Sequence, residues 1–415
     1  MFRRNLEPEL HATLDYTPVV LLAGARQTGK STLVQDAVTN PNYITFDDLA
    51  IARLASEDPQ GFVQSLELPA ILDEVQHVPE IFRSIKLRVD RQRVPGSFVL
   101  TGSADVMLLP RVSESLAGRM QTLTLWPLSQ GEIEGVEEHF IDAAFAQDPP
   151  RLPASTLSFR DLVQRVLVGG FPEVASRGAS TRNRTWFRAY SSSIIQRQVL
   201  DIASIEAIGD LARLLTLLAA RATGLVNVAS LANDMGMAPT TMKRYLNLLR
   251  MTYIVQTLPA WTRNLGMRVI RTEKVTLLDT GLLGYLQNAE LERVILQRDL
   301  AGPLLETFVM MELRKQLGWA DIGAELFFFR THSGTEVDLV LEAFDGRVVG
   351  IEVKASASVV KRDMRGLEAL REHLGEKFIR GIVLYTGEQV LPAGDRIWVM
   401  PVDTLWRWGA KAQRA

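Results

Sequence analysis

The chain has 415 residues, 47% of them hydrophobic and 23% charged, and a formal net charge of −2. That length exceeds what one hydrophobic core fills, so two or three domains are expected. The near-neutral charge excludes nucleic-acid binding by bulk charge, and any such contact must come from a local basic patch. With no cysteine there is no disulfide framework or thiolate metal site, and a cytoplasmic protein is expected. The histidines (His11, His77, His139, His332, His373) are scattered with no pair at ligand spacing, so no structural zinc is expected. No apolar run approaches the roughly 20 residues that cross a bilayer, and Met1–Glu7 does not begin a signal peptide; no membrane partner is expected.

Up to about Leu128, short apolar strands (Val19–Ala23, Tyr43–Asp47, Ala70–Asp73, Ser97–Thr101, Gln121–Leu125) alternate with helical stretches. The fold class is α/β, and the alternation implies a P-loop NTPase core over 1–135, a parallel sheet with helices on both faces. Between the first strand and a helix lies Gly24-Ala25-Arg26-Gln27-Thr28-Gly29-Lys30-Ser31. Its glycines let successive backbone N–H groups face a polyphosphate, and the helix adds its positive N-terminal end. Lys30 would reach the β- and γ-phosphates, Ser31 would ligate magnesium, and Thr32 completes the nucleotide-binding set. The cofactors expected are ATP and Mg2+.

Ala70-Ile71-Leu72-Asp73-Glu74 is an apolar strand ending in two acids. Asp73 would hold the magnesium shell and Glu74 would orient or activate the attacking water. The strand Phe98–Thr101 ends in Gly102-Ser103. Ser103 or Thr101 could contact the γ-phosphate or the water, or the three residues could simply make a turn.

Glu137–Ser158, with Asp148-Pro149-Pro150 and Pro153, reads as a linker or long loop. From Phe159 to about Ala260 the pattern is helical, a helical and winged-helix domain over 159–260. Val228–Met235 and Pro239–Arg250 read as a helix–turn–helix with Met242, Tyr245, Leu246 and Leu249 on one face. Thr240, Thr241, Lys243, Arg244 and Asn247 on the other face suit DNA contact, although such a segment can equally be structural. Arg182, Arg184 and Arg188 read as a solvated helix face.

A final α/β block lies within 272–415. Glu336–Glu342 and Val348–Lys354 form a hairpin around Asp345-Gly346. A two-residue turn would mix its polar and apolar faces. A three-residue turn over Phe344, Asp345 and Gly346, with Gly346 left-handed, pairs Asp338 with Glu352. It also keeps Val337, Leu339 and Leu341 on one face. Asp338, Glu352 and Lys354 then converge as a divalent-metal site; the alternative is a strand whose charged face lies in solvent.

The chain resembles AAA+-like ATPases, in particular a bacterial and archaeal family with a C-terminal nuclease-like domain of unassigned function. The resemblance rests on the two nucleotide motifs, Leu100-Thr101-Gly102-Ser103-Ala104, Glu114-Ser115-Leu116-Ala117-Gly118-Arg119 and Gly169-Gly170-Phe171-Pro172. It implies that Arg119 is a charge-stabilising arginine, in its own site, in a neighbour's, or in packing only. One departure is Arg197-Gln198, where the family suggests Arg-Asp. The hairpin resembles the PD-(D/E)xK nuclease superfamily, a restriction-endonuclease-like fold. That resemblance implies metal ligation by Asp338 and Glu352 (Mg2+, with Mn2+ also accepted), Lys354 positioning a water, and Glu306 as an additional acidic ligand. The expected function is an ATPase coupled to a metal-dependent nuclease domain acting on DNA. A nucleotide-switched scaffold with a non-cutting terminal domain is the second reading, and a DNA-bound transcriptional regulator the third. Relatives of this kind assemble, so a homo-oligomer is expected.

Overall fold

Strands made wholly of apolar residues need cover on both faces, and the first sheet has it. The protein is represented by a computed structural model describing residues 2–103, 116–194, 208–262, 272–331 and 334–412. Strands β1 (Val19–Ala23), β2 (Asn42–Thr45), β3 (Ala70–Asp73), β4 (Phe98–Gly102) and β5 (Met120–Thr124) form a parallel sheet in the order β2-β3-β4-β1-β5. Val20 and Leu22 face a core shared with Leu6 and Leu10 beside or in α1 (Glu7–Leu14) and with Leu33 and Val34 of α2 (Lys30–Ala37). Val19 and Leu21 face the other core, with Ile81, Phe82 and Ile85 of α5 (Ile81–Arg91). Helices α3 (Leu49–Glu57) and α4 (Pro59–Ser65) lie between β2 and β3 in the chain. All five strands point the same way, so their C-terminal ends share one rim.

The segment expected to be a linker is only partly one. After α6 (Gln130–Glu134), β6 (Val136–Glu137) leads into α7 (Phe140–Phe145), with Phe140, Ile141, Ala144 and Phe145 buried. The three prolines carried the sequence reading, whereas the burial comes from distant partners. Phe140 N donates to Gln316 Oε1 at 3.1 Å, and Arg380 Nη2 donates to the carbonyls of Ala146 and Asp148, each at 2.8 Å.

The middle region runs through α8 (Phe159–Val168), α9 (Pro172–Arg177), α10 (Arg182–Ser193) and α11 (Ile208–Ala220). Then α12 (Val228–Met235) and α13 (Pro239–Met251) are joined by a turn at left-handed Gly236. Met242, Tyr245, Leu246 and Leu249 of α13 are buried, while Thr240, Lys243, Arg244 and Asn247 are exposed and Thr241 is half-buried. Strand β7 (Val255–Leu258) pairs antiparallel with β8 (Lys274–Leu277), and α14 (Thr280–Leu286) follows.

Helices α15 (Leu291–Leu296) and α16 (Ala301–Gln316) precede a second sheet. Its strands are β9 (Ala324–Arg330), β10 (Glu336–Ala343), β11 (Val348–Lys354), β12 (Phe378–Tyr385), β13 (Leu391–Gly394) and β14 (Ile397–Pro401), in the order β13-β14-β12-β11-β10-β9. β9, β10 and β11 are antiparallel neighbours, and β11, β12 and β14 run parallel. Helix α17 (Arg365–Leu374) joins β11 to β12 and packs with Val340, Val348 and Phe378.

The hairpin register is the expected one: Leu339 lies opposite Ile351 and Leu341 opposite Val349. The turn spans Phe344, Asp345 and Gly346, closed by Ala343 N donating to Arg347 O at 2.9 Å, with Gly346 at φ +84°. One detail of the face differs. The pairing of β10 with β9 slips between Val337 and Val340, and Val337 packs with Val340 and α17 rather than with Leu339 and Leu341. A bulge adds a residue and re-aims its neighbours, so strict alternation fails at Asp338.

Candidate functional site

Where β1 meets the loop, Gly24 (φ +146°) could carry no side chain, because a Cβ would lie 2.3 Å from Leu125 O. Gly29, left-handed at φ +93°, caps α2 and leaves the first N–H groups of that helix pointing outward. The buried Lys30 ammonium donates to Gly24 O at 3.0 Å and Ala25 O at 2.9 Å, and Thr28 Oγ1 donates to Ala25 O at 3.0 Å. Burial lowers the Lys30 pKa, against the opposing charges of Glu74 and Asp73. Two residues the sequence reading missed brace this loop from outside. Arg4 donates to Thr28 O and Trp126 O, both at 2.7 Å, and the Tyr190 hydroxyl donates to Arg26 O at 3.3 Å.

Parallel register sets the end of β3 beside the loop. Asp73 accepts from Ser31 Oγ at 3.0 Å, from the Tyr43 hydroxyl at 2.7 Å and from the Thr101 hydroxyl. Burial and the bond to Asp73 push Tyr43 up to about 12. Glu74 is left-handed at φ +58°, a conformation costing a non-glycine residue on the order of 1–3 kcal/mol. It turns the carboxylate out of the strand, where Gln76 donates to it and also to Ser103 Oγ, the latter at 3.1 Å. Burial pushes the Glu74 pKa up, but the Lys30 charge and the Gln76 and Ser103 hydrogen bonds outweigh it, and the carboxylate titrates below its usual range. Of the two open candidates, Thr101 serves Asp73 and the Glu74 backbone N–H, and Ser103 lies with Gln76.

A second polar centre lies in the C-terminal sheet. Asp338, Glu352 and Lys354 line one cavity of about 480 Å³ together with Glu336, Arg362 and Arg365. Val353 N donates to Asp338 Oδ2 at 2.9 Å, and Lys354 Nζ to Glu352 Oε2 at 3.1 Å. Burial, then the neighbouring Asp338, hold the Glu352 pKa well above the usual carboxylate range. Glu306 joins them from α16, raised to about 7 by burial and by Asp338. The sequence reading missed Lys274 of β8. Its ammonium, 6% exposed, lies 2.8 Å from Glu306 Oε1, 2.6 Å from Glu336 Oε1 and 3.9 Å from Asp338 Oδ1. That lysine holds one oxygen each of Glu306 and Glu336 within hydrogen-bond distance, and Asp338 Oδ1 lies beyond it. Elsewhere, the described residues bring His139, Asp142 and Asp321 together, but the His139 ring nitrogens already meet Glu137 and Asp142.

Residues 16–134 match the AAA domain family. Residues 159–293 and 301–405 match two families described as domains of unknown function, DUF8612 and DUF4143. The uncharacterized protein Rv2008c of Mycobacterium tuberculosis (strain ATCC 25618 / H37Rv) is 30% identical over 413 residues, 98% of this chain and 85% of its own length. The uncharacterized protein Mb2031c of Mycobacterium bovis (strain ATCC BAA-935 / AF2122/97) matches to the same extent. The chain belongs to their family, and its N-terminal domain is an AAA-type P-loop ATPase. Two solved structures are similar at a lower level. The Walker-type ATPase paby2304 of Pyrococcus abyssi has a TM-score of 0.44 and 16% identity, covering 69% of this chain and 96% of that one. A point variant of Thermotoga maritima RuvB has a TM-score of 0.30 and 20% identity, over 66% of this chain and 91% of that one. Membership implies that the AAA domain binds ATP, as a rule with Mg2+. Among the described residues, no helix is long and apolar enough to cross a membrane.

Beside the P-loop of the AAA domain lies a cavity of about 550 Å³ lined by Phe2, Arg3, Gly29, Thr32, Leu33 and Pro172. The Gly169-Gly170 turn brings Pro172 there. Leu128 N donates to Gly170 O at 2.7 Å, and Gly170 N donates to the buried Asp279 at 2.7 Å. A Cβ at Gly170 would lie 2.2 Å from Leu128 O.

The structure does not bring Arg119 to the P-loop of its own AAA domain. The side chain pairs with Asp90 of α5 and donates to Ala117 O at 3.0 Å. Met120, the next residue, lies opposite Val19, whereas the P-loop leaves β1 at Ala23, opposite Thr124. Four strand steps of about 3.3 Å separate those ends. Ala104, Glu114, Ser115, the departure at Arg197-Gln198, and His332 lie outside the described residues.

Proposed function

We propose that the chain is an ATP-driven switch: the AAA domain binds and hydrolyses ATP, and its nucleotide state is passed to the C-terminal α/β region. The convergence of Lys30, Ser31, Asp73 and Glu74 on one rim carries this reading. The N–H groups of Gly24 to Thr32 would wrap the phosphates, and Lys30 would exchange its two loop carbonyls for phosphate oxygens. Ser31 and Asp73 would hold Mg2+, which supplies charge neutralisation at the phosphates. Glu74 is placed and ionised to orient a water, with Ser103 and Gln76 beside it. The cavity at Phe2 and Thr32 has room for the base and ribose.

Arg119 stands too far along the sheet to serve its own site, so a stabilising role requires a second copy of the chain. Mixing Arg119→Ala protein with Lys30→Ala protein tests this. Each alone should turn over ATP at least tenfold more slowly than wild type, within the range of arginine-finger effects. The mixture should recover part of the rate, since some interfaces then pair an intact P-loop with an intact arginine. No recovery at any ratio would remove the trans role.

The middle region, 159–260, is read as a helical domain with a winged helix, α12 and α13 followed by a wing that begins at β7, and 272–415 as a PD-(D/E)xK nuclease-like unit. The exposed Lys243, Arg244 and Asn247 suit DNA, while the buried face of α13 serves packing alone. A nuclease acting on DNA was the first expectation; the Lys274 contacts favour the non-cutting reading instead. Plasmid DNA incubated with the protein, ATP and Mg2+ or Mn2+ should stay intact. Cleavage abolished by Asp338→Ala would overturn this and establish the nuclease.

A further inference from the structure

Lys274 is a buried cation supplied by one part of the chain to the acids of another. It lies on β8, within the segment matched to DUF8612, whereas Glu306, Glu336 and Asp338 lie within the segment matched to DUF4143. An ammonium has three donor hydrogens, and three carboxylates surround this one at 2.8, 2.6 and 3.9 Å. The remaining acid, Glu352, is paired with Lys354 at 3.1 Å. Two of the three carboxylates lie within hydrogen-bond distance of the ammonium, and Asp338 Oδ1 is held by charge alone.

The seat is anchored by the strand rather than by the lysine alone. β8 pairs with β7, Thr223 N donates to Val275 O at 2.7 Å, and Val226 N donates to Glu273 O at 2.8 Å. On the side facing α16, the hydroxyls of Thr276 and Thr307 are 2.6 Å apart. The ribbon thus fixes where the lysine side chain starts, and the carboxylates fix where its ammonium ends.

We propose that Lys274 is a resident cation that excludes a divalent metal from the Glu306–Asp338 cluster. This rests on reading the cluster as metal-binding in kind. Hard divalent cations bind carboxylate oxygens at about 2.0–2.6 Å, so ion and ammonium would compete for the same lone pairs.

The test is Mn2+ binding to the full chain without nucleotide, read by electron paramagnetic resonance of the free ion. Wild type should show no uptake that Asp338→Asn removes. Lys274→Met should bind Mn2+ at least tenfold more tightly, with the gain erased in Lys274→Met/Asp338→Asn. Because Lys274→Met leaves several acids unpaired, Lys274→Met/Glu336→Gln serves as a second variant; thermal melting should show it stabilised by Mn2+ where wild type is not. Wild-type uptake that depends on Asp338, as tight as in the Lys274 variants, would overturn the exclusion while leaving the cluster a metal site. No uptake by any folded variant would overturn both the proposal and the metal-type reading beneath it.

Discussion

Lys30→Ala protein is expected to lose ATP affinity by a factor of about 30–1,000, the loss of one or two charge-assisted hydrogen bonds worth roughly 2–4 kcal/mol together. The ammonium is buried and already bonded to the carbonyls of Gly24 and Ala25, at 3.0 and 2.9 Å. It can move to a polyphosphate without leaving the loop. Its loss removes the positive charge facing the phosphates and also loosens the loop itself. Titration calorimetry with ATP and Mg2+ reads the affinity, and circular dichroism checks that the fold persists. Undiminished binding and turnover would remove the basis of the functional reading.

Glu74→Gln should separate binding from chemistry. A positioned general base contributes about 10²–10⁴-fold, so single-turnover hydrolysis should fall by that order while ATP affinity changes little. Glutamine preserves the shape and can still meet Gln76 and Ser103, so the loss isolates the carboxylate charge. Because Lys30 and those hydrogen bonds hold the Glu74 pKa below its usual range, the group is ionised at neutral pH. The rate should therefore be flat from about pH 8 down to about pH 6 as far as this residue is concerned. A wild-type profile that falls through that interval, and a Glu74→Gln profile that does not, would assign the base a raised pKa and contradict the geometry.

The nucleotide site was legible because its signals are local. A strand, eight loop residues and a helix start carry the phosphate cradle, and an apolar run ending in two acids carries its partner. The hairpin register was legible for a related reason: only one turn length aligns the apolar residues of both strands, and Gly346 supplies the backbone that turn needs. What escaped notice is non-local. Lys274 and Glu306 are 32 positions apart, and nothing around Lys274 distinguishes it from a solvated lysine at a strand start. Arg4 and Tyr190 brace the P-loop from 24 and 164 positions away. The bulge at Asp338 breaks the two-residue period on which the face assignment relied. In α7 the apolar residues were visible, but Gln316, which closes the helix start, lies 176 positions onward.

Helix α16 holds two addresses on one rod. Near its start, Glu306 grips Lys274 at 2.8 Å; near its end, Glu312 accepts from Gln130 N and Lys315 donates to Leu128 O, both at 2.9 Å. Leu128 and Gln130 directly follow the last strand of the ATPase sheet. An α-helix rises 1.5 Å per residue and is stiff along its axis, so about 9 Å of rigid backbone separates Glu306 from Glu312. A displacement of Leu128 and Gln130 would therefore bear on the same helix that carries Glu306. No loop lies between the two to absorb it.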